Sequence, residues 1–151
     1  MSESTDRIER SIHIHADADR VWGLISEPGW WINDGTIAEH RIESSGDVHT
    51  VHDPTHGAFR ITTLRLDSPN YASFGWGGGE DKSAEAHTNL IEFWIDEHPD
   101  GGVLLRVIES GFDSMNVSER QRRASFEDSS EGWQTELAAA QTLLSQRDDE
   151  Q

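Results

Sequence analysis

The sequence predicts an α+β domain in which a curved antiparallel sheet of about seven strands wraps round one long carboxy-terminal helix. Short runs of alternating apolar and polar residues occur along most of the chain, a pattern typical of strands with one solvated face. A short helical pattern interrupts these runs after the first strand. From Ser118 to about Arg147 no proline occurs and apolar residues recur at helical spacing.

The amino-terminal half contains five of the predicted strands. Alternation over Ile8–Ile14 predicts the first, with one polar face. Asp17 is the predicted N-cap of the first of two short helices that follow this strand. Thr36–Leu66 is interpreted as three strands separated by turn residues, and Ala72–Trp76 alternates again. This half therefore contributes most of the sheet.

The carboxy-terminal half contains the clearest hairpin and the long helix. Asn89–Ile95 and Val103–Glu109 both alternate, and Pro99–Gly102 between them supplies the turn. Ser118 and Gln121 have the spacing of a capping box, which predicts a helix start. The apolar stripe of this helix consists of Phe126, Trp133, Leu137, Ala140 and Leu144. Such a helix would be about 40 Å long, enough to cover a sheet.

Composition separates this chain from several protein classes. A net charge of -17 with 34% apolar residues raises the question of disorder, but six tryptophans and five phenylalanines argue for a folded chain. The acidic surplus argues against a nucleic-acid partner, since phosphates require a basic surface. With no cysteine, disulfides, thiolate zinc sites and cysteine nucleophiles are excluded.

Length and hydropathy predict one domain over residues 1–151, with an ordered core over about residues 6–147. No apolar run approaches the roughly 20 residues that span a bilayer, so no membrane partner is expected. Residues 1–10 are too polar for a signal peptide. We therefore expect a cytoplasmic protein.

Several short strings along the chain resemble one known protein family. In chain order they are Ile12-x-Ile14-x-Ala16, Asp19-Arg20-Val21-Trp22, Trp30-Trp31, Asp67-x-Pro69, Phe74-x-Trp76, Leu90–Phe93, Val107–Phe112, and Glu131-Gly132-Trp133 with Leu137. In these strings the sequence resembles helix-grip proteins of the START-like (SRPBCC) superfamily. It is most similar to the bacterial, polyketide-cyclase-like branch named for the activator of heat-shock-protein ATPase (Aha-type). It departs from that branch at Glu43–Gly46, where a glycine pair is common.

The resemblance implies a START-like helix-grip fold and a role in binding a ligand or a partner. Members of the superfamily bind lipids, sterols, polyketides and plant hormones, and some are cyclases or oxygenase components. The name of the branch comes from a eukaryotic co-chaperone domain, and it is not by itself evidence for action on a chaperone.

Large apolar side chains are predicted to meet between the sheet and the final helix. The predicted ligand-binding residues of this inner face are Trp31, Phe74, Trp76, Ile91, Phe93, Leu105, Val107, Phe126, Trp133 and Leu137. For any one of them, plain core packing is the simpler interpretation, because apolar periodicity first signals burial. As a group, however, the aromatic residues favour a flat or hydrophobic guest.

Two charged residues complete the predicted ligand-binding set. Glu109 is in register with Val107, so its side chain is expected to point inward, where a carboxylate is costly unless it is paired. Arg10 is in register with the apolar residues of the first strand, which should neighbour the last strand. The hypothesis is an internal Arg10–Glu109 ion pair at the pocket wall, with a purely structural pair, or a Glu109 that reaches solvent, as the alternatives.

Neither a metal nor a cofactor is predicted. His49, His52 and His56 lie close in sequence, but residues three apart on a strand face opposite sides. His13 and His15 share a strand face, but it is the solvated one. Convergence of three ligands therefore cannot be derived from these spacings.

The leading functional hypothesis is non-enzymatic binding of a small hydrophobic or aromatic ligand in the cavity between sheet and helix. One alternative is a co-chaperone-like or regulatory protein-interaction module that uses the outer face of the sheet. Another is a cyclase-like or hydrolytic enzyme that uses Glu109, although the sequence has no Gly-x-Ser-x-Gly elbow. Trp94 and Leu104 fall on the outward register, so a homodimer through an exposed patch is also considered.

Overall fold

The computed structural model describes residues 7–33, 37, 39–54, 57–76, 89–111 and 118–145. Seven strands and two helices are formed by these residues. In chain order they are β1 (Arg7–Ile14), α1 (Ala18–Ile25), β2 (Arg41–Ser45), β3 (Val48–Asp53), β4 (Gly57–Asp67), β5 (Tyr71–Trp76), β6 (Asn89–Glu97), β7 (Val103–Ser110) and α2 (Glu119–Ser145).

All seven strands form one antiparallel sheet in the order β1-β7-β6-β5-β4-β3-β2. Strands β2 to β7 are consecutive neighbours, and β1 pairs with β7, so the first and last strands are adjacent as predicted. Helix α2 spans 27 residues and packs against β1, while α1 packs against β6. The predicted α+β helix-grip fold is confirmed, including the long carboxy-terminal helix and the β6–β7 hairpin.

The segment after β1 differs from the prediction, because it contains one α-helix where two were expected. Asp17 caps α1 as predicted, and its carboxylate accepts a hydrogen bond from the Arg20 amide at 2.8 Å. After Ser26 the described chain forms successive turns instead of a second helix. Pro28 lacks the amide hydrogen that a helical hydrogen bond requires, and Gly29 has a φ of 78°, outside the helical region. Neither residue continues a helix.

These turns bring two consecutive tryptophans into the core. Trp30 is fully buried and its ring lies 5.6 Å from that of Phe93 and 6.4 Å from that of Trp133. The close approach to the sheet depends on Gly29, where a Cβ would lie 2.9 Å from the Val51 side chain. The core therefore joins the sheet, α2 and this turn segment into one aromatic cluster.

No helix in the described parts of the chain has both the length and the apolar character needed to cross a membrane. The longest helix, α2, is amphipathic: it buries Trp133, Leu137, Ala140 and Leu144 against the sheet and exposes polar residues on its other side. Four of the five residues predicted for the apolar stripe of α2 are therefore confirmed as buried. The fifth, Phe126, is partly buried and packs against the core.

The turn between β6 and β7 requires glycine at two successive positions, for different reasons. Gly101 and Gly102 have φ values of 94° and 71°, in the left-handed region that disfavours other residues. A Cβ at Gly101 would meet no atom within 4 Å, whereas a Cβ at Gly102 would overlap the Ile14 carbonyl oxygen. Gly102 therefore also fixes how closely this turn approaches the end of β1.

We expect Gly102→Ala to destabilise the fold more than Gly101→Ala. The Gly101 variant should lose about 1–2 kcal/mol of unfolding free energy from the left-handed backbone alone. The Gly102 variant adds a steric overlap with the backbone of β1, which cannot move without breaking its pairing with β7. Urea denaturation of both variants measures the difference, and equal losses would contradict the close approach described here.

Candidate functional site

A cavity of about 210 Å³ lies between the middle of α2 and one end of the sheet. Four parts of the fold contribute to its wall: the turns after α1, the end of β5, the end of β7 and the middle of α2. Its described lining residues are Trp31, Asn33, Trp76, Glu109, Asp128, Ser129, Gly132, Trp133 and Glu136. The wall thus combines three indole rings with three acidic residues.

Glu109 lies at the base of this cavity, with only 1% of its surface exposed. Its Oε1 accepts a hydrogen bond from Trp133 Nε1 at 2.8 Å. Its Oε2 accepts from Trp76 Nε1 at 2.9 Å and from Asn89 Nδ2 at 3.1 Å. All three partners can only donate at these atoms, and an ionised carboxylate can only accept. The arrangement therefore suits a carboxylate anion held by neutral donors.

Strand register explains how these four side chains meet. Trp76 and Asn89 are directly paired across β5 and β6, and Glu109 pairs with Ile91, two residues further along β6. Side chains at i and i+2 on a strand share a face, so Asn89 and Glu109 both point inward. Trp133 reaches the same point from α2, which closes the group from above.

The predicted Arg10–Glu109 ion pair is wrong. Arg10 is paired with Val107, while Glu109 is opposite Ile8, so the two charged residues are offset along the β1–β7 ladder. Arg10 is exposed, and its Nη2 donates to Ser130 Oγ on α2 at 2.6 Å. The guanidinium therefore stays at the solvated edge, where it keeps its hydration, and the neutral donors satisfy Glu109 instead.

Three indole rings form the aromatic part of the wall. The rings of Trp31 and Trp76 are 5.7 Å apart and cross at 89°, while those of Trp31 and Trp133 are 5.8 Å apart and cross at 44°. Trp31 is 5% exposed, and its indole N–H has no acceptor among the described residues. A buried donor without an acceptor is energetically costly.

Acidic residues on α2 form the opposite side of the cavity. Glu136 is 5% exposed, and its Oε1 accepts a hydrogen bond from Asn33 Nδ2 at 3.0 Å. Asp128 is exposed and lies two turns before Glu136, with Gly132 between them at four-residue spacing. These three residues share one stripe of the helix, beside the stripe that enters the core.

Of the twelve residues predicted to bind a ligand, Trp31, Trp76, Glu109 and Trp133 line the cavity. Seven others pack in or against the core away from it: Phe74, Ile91, Phe93, Leu105, Val107, Phe126 and Leu137. Arg10 lies at the surface. The structure thus brings four of the twelve together around open space, and a binding role for any of the twelve remains a prediction.

Five lining residues were not predicted from the sequence: Asn33, Asp128, Ser129, Gly132 and Glu136. One signal could have identified most of them. Ser129 and Glu136 lie four residues before and three residues after Trp133, and Gly132 lies four residues before Glu136, which places them on the same side of a helix. Asn33 has no comparable periodic signal, because it follows turns of irregular geometry.

The described histidines have local partners, and none of them is among the described lining residues of the cavity. His40 Nε2 lies 3.0 Å from Asp53 Oδ1, His49 contacts Ser44 and Thr63, and His52 lies 2.7 Å from Glu43. His56 lies outside the described residues. His13 stacks on His98 with ring centroids 3.7 Å apart, near the β6–β7 turn. The described residues contain no group of three or more potential metal ligands.

On the outer face of the sheet, Trp94 is largely covered by its neighbours. The Arg106 guanidinium lies 4.4 Å from the Trp94 ring centroid, and the Tyr71 ring lies 5.4 Å away. Burial raises the pKa of Tyr71, and its hydrogen bond to Glu92 raises it further. Trp94 and Leu104 are therefore half-buried rather than fully exposed, and a subunit contact through them remains a prediction.

We expect Trp133→Phe to cost more stability than Trp30→Phe. Both changes replace a buried indole with a smaller phenyl ring. Only Trp133 donates to Glu109, whereas the Trp30 N–H has no acceptor among the described residues. The Trp133 variant removes the hydrogen-bond donor that Glu109 Oε1 has among the described residues, which should add about 1–3 kcal/mol to its loss of unfolding free energy. Denaturant unfolding of the two variants provides the measurement, and equal losses would show that this hydrogen bond contributes nothing.

Comparison with known proteins shows the fold. No family model and no curated protein matches the sequence, so the likeness comes from solved structures. A protein from Mesorhizobium loti has a TM-score of 0.68 and 15% identity, covering 91% of this chain and 96% of its own. A protein from Nitrosomonas europaea has a TM-score of 0.66 and 14% identity, with 98% and 99% coverage. The Aha1 dimer from Colwellia psychrerythraea, a solution structure, has a TM-score of 0.63 and 16% identity, with 92% and 96% coverage. The chain therefore shares its α+β helix-grip fold with these structures over nearly its whole length.

Proposed function

We propose that this protein binds a small hydrophobic or aromatic molecule, about the size of one substituted ring, in the cavity between the sheet and α2. The observation that supports this proposal is the cavity itself, about 210 Å³ with three indole rings in its wall. An apolar cavity of roughly 150 Å³ is known to hold benzene. The cavity is smaller than the usual range for drug-sized ligands, so a lipid or sterol fits the proposal poorly.

The geometry of Glu109 favours binding over catalysis. A carboxylate has about four acceptor positions, and three of those on Glu109 receive hydrogen bonds from protein donors. A proton-transferring acid or base must exchange hydrogen-bond partners with its substrate during the reaction. Because Glu109 is held by β5, β6 and α2 together, we assign it the role of a fixed polar contact for the guest.

We expect Gly132→Leu to abolish binding without harming the fold. Gly132 lies in α2 and lines the cavity, and a Cβ there meets no atom within 4 Å, so a leucine side chain has room to occupy the cavity entrance. The matched control is Gly23→Leu in α1, where a Cβ also meets no atom within 4 Å. Both changes replace a helical glycine, which should raise stability by up to about 1 kcal/mol.

Two experiments measure the loss of binding. One is native mass spectrometry of freshly purified protein, and the other is a calorimetric titration with phenol, a single-ring probe. The parent and the Gly23 variant should retain a co-purified guest or bind phenol, and the Gly132 variant should do neither. If phenol binds the Gly132 variant as tightly as the control, the cavity is not the binding site and the proposal is wrong.

We also propose that the protein forms a homodimer through the outer face of the sheet. Support comes from the Aha1 of Colwellia psychrerythraea, whose solution structure is that of a dimer, and from the half-buried pair Trp94 and Leu104. Light scattering should give the mass of two chains, and Trp94→Glu should halve it by placing a charge in the contact. A parent protein with the mass of one chain at micromolar concentration would refute this contact.

A further inference from the structure

We propose that the molecule bound in this cavity is a small organic cation, a quaternary ammonium or a protonated amine. This inference rests on the proposed function, since it concerns the same cavity, and it specifies the charge of the guest. Three features of the wall support it: its acidic residues, its buried carboxylate, which has no cationic partner among the described residues, and its indole rings.

The first feature is the sign of the charged groups. Glu109, Asp128 and Glu136 line the cavity, and no described lining residue is arginine, lysine or histidine. Arg10, which sequence analysis placed beside Glu109, donates to Ser130 and is absent from the described lining. Among the described lining residues, a guest anion would therefore meet like charge, whereas a cation would meet opposite charge.

The second feature is the burial of Glu109. The carboxylate is 1% exposed, and among the described residues its hydrogen-bond donors are the neutral side chains of Trp76, Asn89 and Trp133. Neutral donors offset part of the cost of removing a charge from water, but a nearby opposite charge offsets more. Because Coulomb attraction is strongest where water is excluded, a cation beside Glu109 would gain more there than at the surface.

The third feature is the set of ring faces. Indole has the most favourable face for a cation among the aromatic side chains, and cation recognition by aromatic cages depends on several rings around one site. The hydrogen bonds to Glu109 turn the N–H edges of Trp76 and Trp133 toward the carboxylate. Trp31 packs against both rings at interplanar angles of 89° and 44°, so the three indoles in the wall differ in orientation.

The size of the cavity narrows the choice of probe. A volume of about 210 Å³ accommodates a trimethylammonium group with a short chain. Choline is such a cation, and 3,3-dimethylbutan-1-ol has the same shape and hydroxyl group with a carbon atom in place of the charged nitrogen.

The decisive experiment titrates the parent protein with choline and with 3,3-dimethylbutan-1-ol by calorimetry at physiological salt. We expect choline to bind at least about tenfold more tightly, from the interaction of its charge with the rings and carboxylates. If the neutral alcohol binds as tightly or more tightly, the guest is not selected for charge, and the inference fails while the proposed function stands. If neither choline nor the neutral alcohol binds but phenol does, the inference likewise fails and the proposed function stands. If none of the three binds, both proposals fail.

Variants separate a site in the cavity from general attraction to an acidic protein with a net charge of -17. Glu136→Gln and Glu109→Gln should each reduce the choline-to-alcohol affinity ratio at least threefold. Glu131→Gln is the matched control, since it removes the same charge from an exposed residue next to the described lining residue Gly132. Should Glu109→Gln fail to fold, Glu136→Gln alone decides. An equal fall in the ratio in the Glu131 and Glu136 variants, or choline binding to Gly132→Leu, would overturn the inference.

Discussion

The central interaction of the structure is the hydrogen bonding of one buried carboxylate to three donors. Glu109 on β7 accepts from Trp76 on β5, from Asn89 on β6 and from Trp133 on α2, so one side chain links three strands to the helix. Without these bonds the carboxylate would be a buried charge with unfavourable solvation. The two indole N–H groups would lose their acceptor. The same bonds hold the two tryptophans in the orientations that shape the cavity.

Most of the fold could be predicted from the sequence because alternation and helical spacing report directly on which faces are buried. The strands, the β6–β7 turn and α2 all follow such patterns. The second short helix did not form because Pro28 and Gly29 act through local backbone geometry, which periodicity does not record. The adjacency of the first and last strands was predicted correctly, but the partner of Glu109 was not.

The candidate site was harder to predict, and the reason is physical. Periodicity identifies the face on which Phe93, Val107 and Trp133 lie, but not where along that face the helix separates from the sheet. Phe93 and Val107 are fully buried beneath the point of separation, while Trp133 reaches open space. Acidic residues such as Glu136 resemble a solvated helix edge in sequence, and only the packing of α2 turns them toward the cavity.

The order of the strands also has a consequence for how the chain folds. Strands β2 to β7 pair with neighbours in sequence, so this meander can form through short loop closures. The pairing of Arg7 with Ser110 joins residues about one hundred positions apart, and its entropic cost is correspondingly larger. Long-range pairing of this kind slows folding, so docking of the first strand should be the late, rate-limiting event. In a chain still emerging from the ribosome, β1 would thus lack its partner strand until β7 is made.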